Sequence, residues 1–543
     1  MLSPMLLLFA AQIEITPQDD LWGTLQALQP GDEVIIRAGD YPVPGFVDIK
    51  IPGTEAMPVI VRAADGETPV IVGIDSQNTF NISGTWYTLR GLEIAGGSHG
   101  VRLGSSAHAV IEDMHIHNTL DVGISCNRPD NTYEDITIRR NHIHDTGGGG
   151  PGEGMYLGCN DGACKMWDSL VEFNYVHNTT GGDQGDGIEF KTGSYNTVVR
   201  HNVIHDTKYP GLTMYGTQGM PANTVEGNVV WNVEDNGIQT VGDLVLRNNV
   251  VFNVGASGIA SKASQGEAVV NLTVVHNTVI GAGDACYRGN NFDAGDAITV
   301  ANNAFLCEGG TAIKLAQGAG PASLLANAVL GSDESGSGFD AMSLGASFLD
   351  AAAMNVYPAA ASPLIDAGDP GSAPAEDFNC QPRTGTPDVG AYDYSTPDNP
   401  GWTIQPGFKT CEGVDPDTDS DTGDTGDTTD PTDPSGSTGG ADATGSASDS
   451  ASITDVGTGD SSASAGETAA EGGSDAPTSG ASDTPTSAGD GTVGSTPGGS
   501  TGDTAPVDTA GEGGDGCQCD ASSAPLSMSA LLLVPLLGRR RRR

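Results

Sequence analysis

Short runs of alternating apolar and polar residues recur along the chain, each followed by an asparagine and a second apolar pair. They read ITIRRNHIHDT (136–146), SLVEFNYVHNT (169–179), TVVRHNVIHDT (197–207), NTVEGNVVWNV (223–233), LVLRNNVVFNV (244–254), LTVVHNTVIGA (272–282) and ITVANNAFLCE (298–308). The asparagine falls at 141, 174, 202, 228, 249, 277 and 303, in steps of 21 to 33 residues. Earlier turns at 87–97 and 109–119 keep the pattern with Leu92 and Met114 in the asparagine position. Beyond each comes another short strand, usually opened by glycine: Gly123-Ile-Ser-Cys, Gly154-Met-Tyr-Leu, Gly187-Ile-Glu-Phe-Lys, Gly211-Leu-Thr-Met-Tyr, Gly237-Ile-Gln-Thr and Gly258-Ile-Ala. Period-2 alternation and enrichment in Val, Ile and Thr predict strands and exclude helical repeats of similar period. Such strands cannot close on themselves within one period. Stacked at about 4.8 Å per turn, they predict an all-β solenoid of parallel sheets around one narrow core. The asparagine at one corner of each turn should point inward and bond its amide to the next.

With these features the chain, over about residues 13–394, resembles the pectate-lyase-like superfamily, a single-stranded right-handed parallel β-helix. The start fits: a short amphipathic cap helix over 20–28, a first strand from Gly31 to Arg37, and Gly39-Asp-Tyr as its turn. Pro58-Val-Ile-Val-Arg and Pro69-Val-Ile-Val-Gly make the second turn. Ser362-Pro-Leu-Ile-Asp-Ala-Gly-Asp and Asp388-Val-Gly-Ala-Tyr-Asp-Tyr resemble the closing segment of exported β-helices, followed by a last piece over 395–411. The stretch from about 315 to 357 is less regular and is not assigned to rungs.

Composition divides the rest. Residues 412–516 are almost entirely Asp, Thr, Ser, Gly, Ala and Pro, with 22 acidic and no basic residues and no Phe, Tyr, Trp, Leu or Met. Such a segment cannot bury enough apolar surface to offset its ordering entropy, so it is expected to be a disordered tether. Without it and the tail, 47 acidic residues face 18 basic ones. That surface repels nucleic acid and anionic lipid. It would also repel a polyanionic glycan unless a cation such as Ca²⁺ sits between them.

Both ends suggest export. Residues 1–12 are apolar and signal-peptide-like, without a basic n-region, or with their true start upstream. At the other end Cys517-Gln-Cys519 precedes an apolar run over 525–538 and five arginines. A helix through that run spans about 21 Å, short of the roughly 30 Å hydrocarbon core. Residues 517–543 resemble MYXO-CTERM sorting tails processed by a myxosortase, which implies Cys517 as the processing or lipidation point. The expectation is an exported monomer, secreted or held at the cell surface or outer membrane by this tail. Seven cysteines remain in the body. Cys159 and Cys164 flank a tight loop and Cys380 with Cys411 can staple the C-terminal end, while the odd count leaves one thiol free, Cys126 being the candidate. CxxC zinc spacing is absent from the body.

In each glycine-opened strand the residue after glycine should face the core and its neighbours solvent. The outward column then holds Arg102, Ser125, Tyr156, Glu189 with Lys191, Thr213 with Tyr215, and Gln239, with Glu153, Asp161, Asp183 and Asp186 nearby. Eliminative cleavage of a uronic-acid glycan needs a base for the proton α to the carboxylate, a cationic group for the resulting enolate, and an acid for the leaving oxygen. Lys191 with a depressed pKa supplies the base and Tyr215 the acid. Ca²⁺ on Asp183, Asp186 and Glu189 supplies the electrophile. Tyr156, Arg102, Thr213 and Gln239 are then substrate contacts. The segment GIEFKTGSYNTVVRHNVIHDTKYPGLTMYG (187–216) resembles the catalytic stretch of chondroitinase-B/alginate-lyase-type β-helix lyases, where an acid and a lysine share one strand and an arginine ends the strand one turn later. Glu189 and Lys191 match; Tyr215 stands where the arginine would be.

Two other readings share these residues. A Glu-x-Lys pair on an outward strand can be a solvated ion pair of about 0–1 kcal/mol, on a non-catalytic adhesin or matrix protein. A glycoside hydrolase would need paired carboxylates about 5–10 Å apart, which Asp183, Asp186 and Glu189 can supply. An adhesin predicts a flat face around Lys191, and either enzyme a groove walled by residues 147–150 and 208–210. His117, His144, His177 and His205 share one column with Trp231 and Phe252, which favours a stack of flat rings over metal ligands. In the next column Asn118, Asp145, Asn178, Asp206, Asn232 and Asn253 are expected as turn residues.

Overall fold

The computed structural model describes residues 11–290, 292, 297–316 and 322–411. The expected signal peptide (all but its last residues), the acidic tether and the sorting tail with Cys517 lie outside the described residues. The described part is the predicted parallel β-helix. Within the rungs the strands pair in parallel with their equivalents in neighbouring turns; Ile188–Phe190, for example, lies between Met155–Leu157 and Leu212–Met214. Rungs run from Gln12–Ile15 to Phe339–Asp340. The helix Leu21–Gln26, N-capped by the side chain of Asp20, buries Trp22 and Leu25 at the first turn.

The asparagines form the inward ladder. Each Nδ2 donates to the Oδ1 of the next asparagine at 2.9 Å and to a backbone carbonyl of the turn before, from Asn141 through Asn303. The ladder runs one turn further than the seven-turn pattern, to Asn327, whose amide donates to Val300. The residue before each of these asparagines turns the corner in the left-handed region, including Arg140, Phe173, His201, Asn248 and Asn302. The predicted turn residues Asn118, Asp145, Asn178, Asp206, Asn232 and Asn253 do the same at the next corner, with φ of 46–57°.

Glycine opens the third strand of each turn for a steric reason. A Cβ on Gly154 would lie 2.5 Å from Val176 Cγ1 and 2.6 Å from the carbonyl oxygen of Gly187, and Gly123 meets the same arrangement one turn earlier. The residue after each glycine, from Ile124 to Ile259, is fully buried.

The rungs end well before residue 394. From 344 onward the chain folds back along the outside of the sheet that follows the asparagines. There Phe348, Tyr357, Phe378, Tyr392 and Trp402 join Val203, Val229, Trp231, Val250 and Phe252 in a second core. Disulfides link Cys159 to Cys164, Cys286 to Cys307 and Cys380 to Cys411, and Cys126 is a buried free thiol. The Cys286–Cys307 bond, across 21 residues, ties two successive turns. Replacing both cysteines by alanine is expected to lower stability by about 3 kcal/mol through the freed loop entropy, read as a lower denaturation midpoint. An unchanged midpoint would show that the stacked turns hold that loop without the bond.

Candidate active site

The expected column is in register. Arg102, Ser125, Tyr156, Glu189, Thr213 and Gln239 are Cα partners in successive turns. The strands make a floor, and the loops entering and leaving them stand at its two edges. On the entering side, Asp183 and Gln184 donate backbone N–H groups to Gly150 and Pro151 at 3.3 and 3.0 Å, and Lys208 Nζ donates to the Gly182 carbonyl. The predicted loops 147–150 and 208–210 are thus tied into one rail through residues 182–185.

Solvent exposure differs from the expectation. Ser125, Glu189, Lys191, Thr213 and Gln239 are all buried. At the leaving edge, residues far apart in sequence meet. Gln265 accepts from Thr192 Oγ1 at 2.7 Å and donates to Asn160 Oδ1 at 3.1 Å, and the same oxygen takes the Tyr156 hydroxyl at 3.4 Å.

Beneath this edge sits a compact charged cluster. Glu153 and Asp186 occupy the same place in successive turns, immediately before the opening glycine, and Glu189 follows two residues after the glycine in Asp186's own turn. One carboxylate oxygen from each of Glu153, Asp186 and Glu189 lies within 4.8 Å of the others, and all three residues are buried. Asp186 Oδ1 accepts from Thr213 Oγ1 at 2.8 Å. Both carboxylate oxygens of Glu153 and Oε2 of Glu189 are buried without a hydrogen-bond partner. Glu189 Oε1 takes Lys191 Nζ at 2.5 Å, with the two side chains only 4–5% exposed. Lys191 Nζ also sits over the rings of Tyr156 and Tyr215, 4.5 and 5.3 Å from their centroids.

The electrostatics follow from this crowding. Burial, then the charge of Glu189, pushes Glu153 up to about 8. Burial and the neighbouring carboxylates of Glu189 and Glu153 hold Asp186 well above the usual carboxylate range. Burial raises the phenols of Tyr156 and Tyr215, so both keep their protons at neutral pH. Lys191 departs from the expected depressed pKa. Burial lowers it, but the Glu189 carboxylate more than reverses this and raises it.

Of the expected ligands, Asp186 and Glu189 come together, whereas Asp183 is exposed and outside the cluster. Glu153 takes its place. Its signal was its position before the glycine, one turn below Asp186. Arg102 donates to Asn127 Oδ1 at 3.1 Å, three turns from Glu189, and Asp161 is exposed in the disulfide loop.

A family model described as "Pel9A-like, right handed beta helix region" matches residues 11–162, and one described as "Right handed beta helix region" matches residues 168–305. No curated protein matches the chain. Among solved structures, the alginate lyase from Paenibacillus sp. str. FPU-7 is 18% identical with a TM-score of 0.37, over 48% of this chain and 94% of that one. Pectate lyase Pel9A is 16% identical with a TM-score of 0.45, over 71% and 97% of the two chains. The A-module of the Azotobacter vinelandii mannuronan C-5 epimerase AlgE4 is 16% identical with a TM-score of 0.39, over 55% and 87%.

Proposed function

We propose that this pectate-lyase-like right-handed parallel β-helix binds polysaccharide and cleaves uronic-acid glycans by elimination, with Ca²⁺ as its cofactor. One observation carries the reading: three buried carboxylates with three unpartnered oxygens lie against a protonated lysine held between two tyrosines. Buried charge of this kind must take up protons or a cation. Two oxygens on one Ca²⁺ lie at most about 5 Å apart, given Ca–O distances of about 2.3–2.6 Å, and the cluster's 4.8 Å limit fits. Glu153, Asp186 and Glu189 would hold the ion. When bound, it supplies positive charge against the uronate carboxylate and the enolate charge that develops beside it.

With Glu189's charge shared with a cation, the partner that holds the lysine's proton would be weakened, and Lys191 would then serve as the base. Neutral Nζ takes the proton from the carbon α to the substrate carboxylate. The electron pair forms the new carbon–carbon double bond as the glycosidic carbon–oxygen bond breaks, and the Tyr215 phenol gives its proton to the leaving oxygen. Tyr156 and Thr213 line the same floor as substrate contacts. A glycoside hydrolase fits less well, because its carboxylates flank the scissile bond and here they share one cluster.

The near-complete burial of Lys191 and Glu189 favours one other reading, a non-catalytic adhesin in which the pair is structural. Incubation with alginate, pectate and chondroitin sulfate, in Ca²⁺ or in EDTA, separates the two. Unsaturated product, read by ultraviolet absorbance, that disappears in EDTA and returns with Ca²⁺ supports elimination. Binding without product on every polymer supports the adhesin. In either case we place the protein outside the cell, tethered through residues 412–516 and a tail processed at Cys517; the three disulfides suit an oxidising compartment.

The raised carboxylates set a pH dependence. Between the ordinary 4.5 and about 8, Glu153 holds its proton in the folded chain and not in the unfolded one. The thermal midpoint in EDTA is therefore expected to fall as pH rises from about 5 to about 8, and Ca²⁺ should recover it at the upper end. A midpoint flat across this window would mean the cluster neither shares protons nor waits for a cation.

A further inference from the structure

The outer face of the sheet following the asparagines carries two columns of imidazoles. His115 and His142 are partners in adjacent turns, followed by Tyr175; two residues along, His117, His144, His177 and His205 are partners in four. The second column stacks as expected, with ring planes 3–9° apart and centroids 5.0–5.3 Å apart, and ends on Trp231. The first column faces it diagonally: His115 Nε2 lies 2.9 Å from His144 Nε2, and His142 Nε2 lies 2.9 Å from His177 Nε2.

We propose that this lattice is a binding site for one divalent transition-metal ion, of the Zn²⁺ or Cu²⁺ class, held by His115, His142 and His144. One ring nitrogen from each lies within 4.8 Å of the others. At Zn–N distances of about 2.0–2.1 Å, tetrahedral ligand nitrogens stand about 3.3 Å apart, so the His115–His144 contact needs to open by only a few tenths of an ångström. Asp145 sits 2.7 Å from His144 Nδ1. A carboxylate there accepts the hydrogen bond from Nδ1–H and leaves the lone pair on Nε2, the orientation seen behind metal-binding imidazoles. His115 remains 40% exposed at its side chain, giving an ion a way in. Glu93, 3.2 Å from His117 Nε2, closes the N-terminal end.

Stacking alone does not account for imidazole here. Where the C-terminal segment covers this sheet most fully, the same columns hold Val203, Val229 and Val250, and Trp231 and Phe252; histidine fills them towards the N-terminal turns, where Phe408 of that segment reaches the His142 ring at 6.5 Å. An all-nitrogen donor set selects borderline metals over Ca²⁺, so this site is independent of the acidic cluster and of the activity proposed for it.

The test is Zn²⁺ titration by calorimetry on the untagged full chain with Ca²⁺ present. One tight site is expected, weakened tenfold or more in His142→Gln and His144→Gln and unchanged in His108→Gln, which lies elsewhere. Should those variants misfold, electron paramagnetic resonance of Cu²⁺ added to the unmutated chain decides, and nitrogen superhyperfine structure from two or three imidazoles is expected. Equal Zn²⁺ affinity in folded His142→Gln and His144→Gln, or an oxygen-only Cu²⁺ signal, overturns the site and leaves the lattice as packing.

Discussion

Replacing Lys191 by alanine is expected to lower formation of unsaturated product by about 10²–10⁴-fold, the share a positioned base contributes. The same change strands the Glu189 carboxylate, whose only hydrogen-bonded oxygen is the one on Lys191 Nζ. Breaking a buried pair on one side costs about 3–5 kcal/mol, so lost activity in Lys191→Ala alone confounds chemistry with folding. Glu189→Gln/Lys191→Met removes both charges and keeps most of the volume, and should melt much closer to the unmutated protein while remaining inactive. Lys191→Met that folds and still makes product would remove Lys191 from the reaction. Tyr215→Phe then locates the acid: a loss in kcat with little change in KM is expected there, and the loss should fall on Tyr156→Phe instead if that phenol serves the leaving oxygen.

The largest stability effect is expected in the asparagine ladder. Asn202 Oδ1 accepts both the backbone N–H and the Nδ2 of Asn174, and its own Nδ2 donates to Val171 O and Asn228 Oδ1, all at 2.9–3.0 Å in a fully buried corner. Asn202→Leu leaves two donors on Asn174 without an acceptor. At about 1–3 kcal/mol for each buried unsatisfied group, a loss of about 2–6 kcal/mol follows, read as a lower denaturant midpoint. Leucine and methionine stand in the same position at Leu92 and Met114 because the ladder begins only at Asn141, which takes the Met114 N–H at 3.1 Å. A loss under about 1 kcal/mol would mean that water or a shifted backbone replaces the amide.

Much of this was legible beforehand. The period of the asparagines, the glycine openers and the apolar residue after each glycine follow from strand geometry, which repeats identically in every turn, so the local pattern carries the global fold. Even the turn left unassigned was present in the text: Ser323-Leu-Leu-Ala-Asn-Ala-Val-Leu repeats the pattern around Asn327. Strand alternation also placed Glu189, Lys191, Thr213 and Gln239 together on one face, as the register bears out.

What alternation cannot state is what covers a face. Gln265 reaches Asn160 across 105 residues and bonds Thr192 beside Lys191, and the column that alternation turns outward is buried. Burial then reverses the expected chemistry: it makes the Glu189–Lys191 pair tight enough to raise the lysine, and gathers Glu153 in place of exposed Asp183. In the same way the fold-back of residues 344–411 covers the far half of the neighbouring sheet and reaches the imidazole columns through Phe408. The sequence by itself determined the rungs, because hydrogen-bond spacing and side-chain period are local. Only the tertiary structure decided which columns are open and which charges are forced together, because covering loops come from anywhere in the chain and the electrostatics depend on the water they exclude.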